Sequence, residues 1–227
     1  MKTLVMDLDG TLIDSIPDVC IALNFALASV GYNSLKVELV KTMVGGGARQ
    51  LVEKALSYVK GDPGLVDDLC EVFKSHYSSH PVKQTTIYPG VVETLERLVL
   101  ADYKLGICTN KPEATTFPVI EALNLTQFFP VVVCGDSRPY KKPDARHVFD
   151  VIDALDSQPE DAVFIGDSET DVAGAKNAGV PIVVVSYGYS QTPASDIGAD
   201  QIIHTFTELP GAISEIEHYI KSLKILK

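Results

Sequence analysis

Short runs of β-branched and other apolar residues recur along the chain and predict the buried strands of a parallel sheet, because such strands are covered on both faces. The runs are Leu4–Met6, Leu105–Cys108, Val131–Cys134, Val163–Ile165, Ile182–Val185 and the weaker Ile202–Ile203. Helical patterns separate most of these runs, for example in residues 91–99. This alternation predicts an α/β fold with a doubly wound parallel sheet.

The stretch between the first and second runs is far longer than one crossover connection needs. Its first helical face comprises Val19, Leu23, Leu27 and Val30, with Pro17 in the first turn and Gly31 as the stop. Residues 51–59 and 65–77 carry two more helical patterns. We therefore expect an all-helical cap in this stretch.

The expected domain boundaries follow from this insertion. The cap covers residues 15–86, and the core domain combines residues 1–14 with residues 87–227. Tyr88-Pro89-Gly90 marks the return to the core with residues that are typical of a linker.

Composition and charge restrict the function classes. The 227-residue chain is 46% hydrophobic with a formal net charge of -11, and no run of Lys or Arg interrupts the acidic background. The basic surface expected of a nucleic-acid-binding protein is therefore missing. The first carboxylate follows only three apolar residues, too few for a signal peptide or membrane anchor. We predict a cytoplasmic protein with no nucleic-acid or membrane partner.

Four polar clusters follow four of the predicted strands. They are Asp7–Thr11, Thr109–Asn110, Lys141–Asp144 and Gly166–Asp171. In an open parallel sheet, ligands bind outside the carboxyl ends of the strands. We therefore expect these clusters to converge on one site although they lie far apart in the sequence.

Asp7 and Asp9 stand two residues apart at the end of a strand, so an extended chain would point both carboxylates to one side and Leu8 away. Two carboxylates this close repel each other unless a divalent cation neutralises the pair. Asp167 supplies a third oxygen ligand. A set of carboxylates without Cys or His predicts Mg²⁺ as the cofactor.

The four clusters resemble, in order, the four motifs of the haloacid-dehalogenase superfamily. Within this superfamily, four further features resemble the phosphoglycolate phosphatase branch: the helical insertion, Tyr88–Val91, Gly106–Lys111 and Ser186–Tyr189. The similarity extends from residue 1 to about residue 190 and implies a Rossmann-like core with a helical cap inserted after the first strand. One departure is Ala145-Arg146-His147, where the branch usually has Pro-x-Pro.

The resemblance implies roles for the catalytic residues. Asp7 is the expected nucleophile, and Asp9 is the expected acid and base that protonates the leaving alcohol and then activates water. Thr109 and Asn110 are expected to bind the phosphoryl oxygens. Lys142 is expected to hold the nucleophile and the transferring group by charge.

The resemblance also implies a metal site and further substrate contacts. Asp167 is expected to bind Mg²⁺ with Asp7 and the Asp9 backbone carbonyl, while Asp171 supports the metal shell or Lys142. Gly10 is expected beside the substrate together with Asp9.

The glycine triplet at residues 45–47 has two interpretations. It is either a flexible turn between helices or a cap loop that reaches the substrate, in which case Gly46 contacts the substrate. Arg49 would then be a partner for a substrate carboxylate.

The implied function is a Mg²⁺-dependent phosphatase acting on a small phosphorylated substrate, with 2-phosphoglycolate as the expected phosphomonoester. A pyrophosphatase or a nucleotide or sugar-phosphate phosphatase of the same superfamily is the alternative enzyme. A phospho-accepting regulatory module is the alternative from another class. The cap argues against that module, and so does Asp9, which is placed to hydrolyse the aspartyl phosphate.

Overall fold

The strands form where the short apolar runs stand in the sequence. The computed structural model describes residues 2–225, with side chains described as far as residue 222. The strands are β1 Thr3–Met6, β2 Ile13–Asp14, β3 Thr86–Ile87, β4 Lys104–Cys108, β5 Val131–Val133, β6 Ala162–Gly166, β7 Ile182–Val185 and β8 Gln201–Ile203. All six runs predicted from the sequence are therefore strands.

The main sheet of the described chain has the order β5-β4-β1-β6-β7-β8. Every neighbouring pair is parallel. Met6 in the central strand β1 is paired with Ile107 of β4 and with Ile165 of β6. The three strands therefore end at one level, and the residues that follow them emerge at the same edge of the sheet.

Helices cover the sheet and fill the long insertion. They are α1 Ile16–Ser29, α2 Val37–Lys41, α3 Ala48–Tyr58, α4 Val66–Ser79, α5 Val91–Leu100, α6 Glu113–Ala122, α7 Ala145–Ala154, α8 Glu169–Asn177 and α9 Leu209–Ile225. Leu4 and Met6 of β1 pack with one hydrophobic cluster, and Val5 between them packs with the other. The sheet is therefore buried on both faces, and the predicted α/β class is confirmed.

The first inserted helix differs from its prediction at one end. Leu23 and Leu27 are buried as expected, but the helix ends at Ser29 and Val30 is exposed. The amides of Val30 and Gly31 bond back to the carbonyls of Leu27 and Ala28, and Gly31 has φ +83°. Glycine adopts this left-handed conformation without a steric penalty and therefore ends the helix. Val30 becomes the capping residue and is not part of the buried helical face.

A two-stranded antiparallel ribbon lies where the chain leaves and re-enters the core. Ile13 is paired with Ile87, and Asp14 is paired with Thr86. The helices α1 to α4 lie between these two strands in the sequence. We propose that residues 15–86 form a separate cap domain with this ribbon at its base.

The described residues contain no helix that combines the length and apolar character needed to cross a membrane. All four cysteines are buried and free.

Candidate active site

The first site residues follow β1 directly and are placed by the parallel ladder. The amide of Asp7 donates a 2.9 Å hydrogen bond to the carbonyl of Ile165, which extends the pairing of β1 with β6. Leu8 is fully buried, whereas Asp7 and Asp9 line one cavity. The two carboxylates therefore lie on the same side of the chain, which is the arrangement that their spacing predicts.

Lys142 connects two buried carboxylates through its ammonium group. Its Nζ lies 2.7 Å from an oxygen of Asp7 and 2.7 Å from an oxygen of Asp171. Burial lowers the pKa of Lys142, but the charges of Asp171 and Asp7 outweigh burial and raise it overall. The lysine therefore stays charged, and loss of either partner would leave part of this charge uncompensated in the interior.

Asp7, Asp167 and Asp171 form a compact group of carboxylates, with one oxygen of each within 4.8 Å of the others. Burial raises the pKa of Asp7 to about 7, against the lowering effect of Lys142. Burial and the negative charges of Asp171 and Asp7 raise the pKa of Asp167 well above its ordinary value. A divalent cation would relieve this repulsion, and the all-oxygen donor set fits Mg²⁺.

Asp171 is already saturated by donors from the protein. One oxygen accepts from Lys142, and the other accepts from the Ser168 hydroxyl at 2.7 Å and from the amides of Ser168 and Asp167 at 3.1 and 3.2 Å. The Ser168 hydroxyl in turn accepts from the amide of Asp171, and these reciprocal bonds form a capping box at the start of α8. This geometry favours the supporting role expected for Asp171 over direct metal binding.

Two glycines and a tyrosine amide enclose Asp167. The amide of Tyr189 donates to its Oδ2. A Cβ atom on Gly10 would lie 2.3 Å from Asp167 Oδ2, and one on Gly188 would lie 2.3 Å from Asp167 Cβ. Gly10 has φ +88°, so both its conformation and its surroundings require glycine. Gly10 was expected beside the substrate, but it packs against Asp167 and is absent from the cavity lining of the described chain.

Thr109 and Asn110 follow β4 and line the same cavity. Thr109 is buried, and its hydroxyl accepts from the amide of Lys111 at 3.2 Å, which leaves the hydroxyl proton for another acceptor. The side-chain amide of Asn110 donates to the Lys142 carbonyl at 3.0 Å and to the Gly45 carbonyl at 3.2 Å. Asn110 therefore holds the lysine segment and the cap loop, while Thr109 keeps a donor for a phosphoryl oxygen.

Asp9 has partners of its own and lies outside the carboxylate group. The Ser15 hydroxyl donates to one of its oxygens. The Nζ of Lys111 lies 3.1 and 3.2 Å from its two oxygens and 2.9 Å from the hydroxyl of Tyr77 in α4. Neither Lys111 nor Tyr77 was predicted as a site residue, although the position of Lys111 directly after Asn110 at a strand end was a usable signal.

His147 is a further residue beside the site for which the sequence predicted no contact with it. Its Nε2 donates to the Cys134 carbonyl at 3.0 Å, and its Nδ1 accepts from the amide of Lys142 at 3.2 Å. Burial is the main reason that its pKa falls to about 4. The neutral ring therefore fixes the backbone of Lys142, which is a structural role.

The cap glycines form one wall of the cavity, but Arg49 does not. Gly46 lines the cavity, and its carbonyl accepts a 2.6 Å hydrogen bond from Lys141 of the core. The Arg49 guanidinium bonds to Glu53 at 3.0 Å and to Asp67 on the exposed side of the cap. Arg49 was expected to meet a substrate carboxylate; its ion pairs direct it away from the cavity, and this geometry disfavours that contact.

The cavity lies between the core and the inserted helices and has a volume of about 370 Å³. Small-molecule sites typically measure about 300–1,000 Å³, so this one suits a small ligand. It combines the carboxylates and Lys142 from the core with Phe73 and Tyr77 from α4. The carboxyl ends of β1, β4 and β6 thus form its floor.

Comparisons with known proteins agree with this arrangement. Residues 4–185 match the model of the family described as haloacid dehalogenase-like hydrolase. The phosphoglycolate phosphatase of Caulobacter vibrioides is 40% identical over 212 residues, which cover 92% of this chain and 90% of that protein. That of Agrobacterium fabrum is 34% identical over 213 residues, covering 93% and 91%.

The fold comparison agrees with the sequence comparison. The crystal structure of a predicted phosphoglycolate phosphatase from Haemophilus somnus has a TM-score of 0.86 and 28% identity, covering 93% of this chain and 97% of that one. The family match spans most of the chain and includes β1, β4 and β6 with the residues that follow them. This protein belongs to the haloacid dehalogenase-like hydrolases.

Proposed function

We propose that this protein is a Mg²⁺-dependent phosphatase that hydrolyses 2-phosphoglycolate through an aspartyl phosphate on Asp7. The observation that carries the proposal is the convergence of Asp7, Asp167 and Asp171 with Lys142 in one cavity. The relatives named phosphoglycolate phosphatase support the choice of substrate. A cytoplasmic location stays a prediction from the sequence.

In the first half of the reaction, a carboxylate oxygen of Asp7 attacks phosphorus, and the bond from phosphorus to the ester oxygen breaks. Asp9 gives its proton to that departing oxygen, so the alcohol leaves as a neutral hydroxyl. Lys142 holds Asp7 and balances charge on the phosphoryl group, and the Thr109 hydroxyl donates to a phosphoryl oxygen. Such positioning and charge stabilisation supply most of the catalysis in phosphoryl transfer.

In the second half, Asp9 takes a proton from a water molecule that attacks the phosphorus. The bond between phosphorus and Asp7 breaks, and inorganic phosphate leaves with the carboxylate restored. A covalent intermediate divides one difficult displacement into two easier ones. Asp9 returns to its protonated form, so the cycle balances.

Asp7, Asp167 and the Asp9 backbone carbonyl would hold Mg²⁺, with Asp171 in support. When bound, the ion offsets the negative charge of the carboxylates and the phosphate. The donor groups around Asp167 and Asp171 keep these side chains in place, as supporting residues of metal sites do.

Steady-state kinetics test the proposal with 2-phosphoglycolate, pyrophosphate, a nucleotide and a sugar phosphate in parallel. We expect many turnovers per protein molecule, the highest kcat/KM for 2-phosphoglycolate, and loss of activity with a chelator that added Mg²⁺ restores. Asp7→Asn should lower kcat on the order of 10³-fold or more while the circular dichroism spectrum is retained. The matched control is Asp153→Asn, which changes an exposed residue of α7.

Each result has a distinct meaning. Near-normal hydrolysis by folded Asp7→Asn would refute the assignment of Asp7 as the nucleophile. Consumption of a single equivalent of phosphodonor would favour a phospho-accepting module. A higher kcat/KM for pyrophosphate, a nucleotide or a sugar phosphate would refute the substrate assignment but leave the phosphatase mechanism standing.

A further inference from the structure

The buried cation Lys111 is not used by the mechanism described above. Its side chain is 5% exposed, and its ammonium lies 3.1 Å from Asp9 and 2.9 Å from the Tyr77 hydroxyl. The ammonium also lies 4.3 Å from the centre of the Tyr77 ring. Lys111 therefore lines the cavity and contacts both Asp9, the expected acid and base, and Tyr77 of the cap.

Lys111 and Lys142 are the two buried lysines among the described residues. They lie on different carboxylates, because Lys142 bonds to Asp7 and Asp171 whereas Lys111 bonds to Asp9. Since phosphorus reacts at Asp7, Lys142 stands on the phosphoryl side of the substrate. Lys111 stands on the side of the leaving group, which Asp9 protonates.

The chemistry of the leaving group makes this position informative. In 2-phosphoglycolate, a single methylene separates the leaving oxygen from a carboxylate. When Asp9 contacts that oxygen, the carboxylate must lie within a few ångströms of Asp9, which is where the Lys111 ammonium lies. A carboxylate buried there without a cation would carry a large desolvation penalty.

Tyr77 can add a second donor from the cap. Its hydroxyl accepts from Lys111, and within the described chain it donates to no protein acceptor. The hydroxyl proton is therefore available to an oxygen of the substrate. Because Tyr77 belongs to α4 and Lys111 follows β4, such a ligand would be held by both parts of the protein.

Lys54, Lys141 and Arg49 are less suited to this task. Lys54 lines the cavity, but it is an exposed residue of α3 and its Nζ bonds to the Met43 carbonyl at 3.2 Å. Lys141 bonds to the Gly46 carbonyl at 2.6 Å. Arg49 is paired with acidic residues on the cap surface.

We propose that Lys111, assisted by the Tyr77 hydroxyl, is the specificity-determining residue that selects phosphomonoesters carrying a carboxylate beside the leaving oxygen. This inference rests on the phosphatase function proposed above and names the group that recognises its substrate. The ammonium turns from Asp9 toward the substrate carboxylate, and Asp9 is thereby released toward the leaving oxygen.

The test compares 2-phosphoglycolate with its neutral amide, 2-phosphoglycolamide, which has almost the same shape. We expect the wild-type protein to prefer the acid in kcat/KM. Lys111→Met should lower this preference about 10- to 100-fold, as loss of a charged hydrogen bond does. Lys54→Met is the comparison for a cation at the cavity that is not assigned this role, and it should keep the preference.

A residue that only holds Asp9 in place would give a different result. Lys111→Met would then lower kcat/KM for the acid and the amide by the same factor, and an unchanged preference would overturn the proposal. Loss of the preference in Lys54→Met but not in Lys111→Met would overturn it as well. A wild-type protein that hydrolyses neither ester would instead refute the proposed function.

A second variant covers a failure of Lys111→Met to fold, which circular dichroism would reveal. Tyr77→Phe keeps the ring and the pair between Lys111 and Asp9, and it removes only the cap hydroxyl. We expect the preference for the acid to fall about 3- to 10-fold, as for one neutral hydrogen bond. An unchanged preference in Tyr77→Phe would remove the cap hydroxyl from the proposal, and if Lys111→Met cannot fold it would overturn the proposal.

Discussion

Replacement of Asp18 tests how the inserted helices are attached to the rest of the molecule. Asp18 lies in the first turn of α1 and is 3% exposed. Its carboxylate accepts from the amides of Lys83, Gln84 and Thr85 at 2.8–3.0 Å and from the Thr85 hydroxyl at 2.7 Å. One side chain therefore joins the start of the insertion to the segment by which the chain returns to β3.

The expected loss follows from the type of these bonds. Hydrogen bonds to a charged group contribute about 1.5–3 kcal/mol, and neutral ones contribute about 0.5–1.5 kcal/mol. Asp18→Asn replaces several hydrogen bonds to a charged group with neutral ones. The loss is limited because Lys83 and Gln84 are exposed, so their amides can bond to water. We therefore expect a loss of about 2–3 kcal/mol in the free energy of unfolding. Asp18→Ala should cost more, because the buried Thr85 then lacks its acceptor.

The pH dependence has a definite sign. Burial raises the pKa of Asp18, but the hydrogen bonds from Gln84, Thr85 and Lys83 outweigh burial and lower it overall. The folded protein therefore favours the carboxylate, and the unfolded chain takes up a proton first as the pH falls. The stabilisation is complete above about pH 4, the ordinary range of Asp, and disappears as the pH falls through the lower folded pKa.

The assay is urea unfolding followed by circular dichroism at pH 7 and at pH 5. The control is Asp153→Asn, the same change at an exposed position of α7, which should stay within about 0.5 kcal/mol of the wild type. The reasoning is refuted if Asp18→Asn matches this control at pH 7. The reasoning is also refuted if the difference in unfolding free energy between the wild type and Asp18→Asn is present at pH 7 but absent at pH 5.

Two further predictions concern the glycine next to the proposed metal ligand Asp167 and the contact between the core and the inserted helices. Gly188→Ala should raise the Mg²⁺ concentration needed for half-maximal activity about 10- to 100-fold, because a Cβ there would lie 2.3 Å from Asp167 Cβ. The control is Gly211→Ala, where the new Cβ would meet nothing within 4 Å, and this variant should leave the required Mg²⁺ concentration unchanged. Lys141→Met removes the 2.6 Å bond to the Gly46 carbonyl and should increase the radius of gyration in solution scattering; an unchanged radius would mean that this bond does not hold the cap.

The sheet and the convergence of carboxylates at its edge could be predicted from the sequence because they depend on strong local signals. Apolar runs mark the buried strands, and the carboxylates come directly after them. The parallel register then brings residues 7 and 167 to one edge, whatever the length of the chain between them. Helix α2 and the ribbon of β2 with β3 were not predicted, because elements of five and two residues are too short for a periodic pattern.

The residues around the catalytic groups were harder to predict, since their partners carry no signal in the sequence. Arg49 looked like a substrate cation because it follows a glycine loop, but Glu53 lies one helical turn away and competes for it. Lys111 was part of the segment that resembles the phosphatase branch but had no predicted role, because only α4, which places Tyr77 over it, buries it beside Asp9. In both cases the charge of the residue was evident, and the direction of its side chain depended on the tertiary structure.

The proposed selection of substrate depends on contacts of the same kind. Asn110, Lys111 and Lys141 each stand next to a residue with an expected catalytic role, and each bonds to the inserted helical segment or its loop. Two of these three bonds end on backbone carbonyls of the glycine loop, which any sequence would offer. Only the bond to Tyr77 ends on a side chain that another sequence could replace. Variation at the position of Tyr77 could therefore change the preferred leaving group while the phosphoryl-transfer groups stay the same.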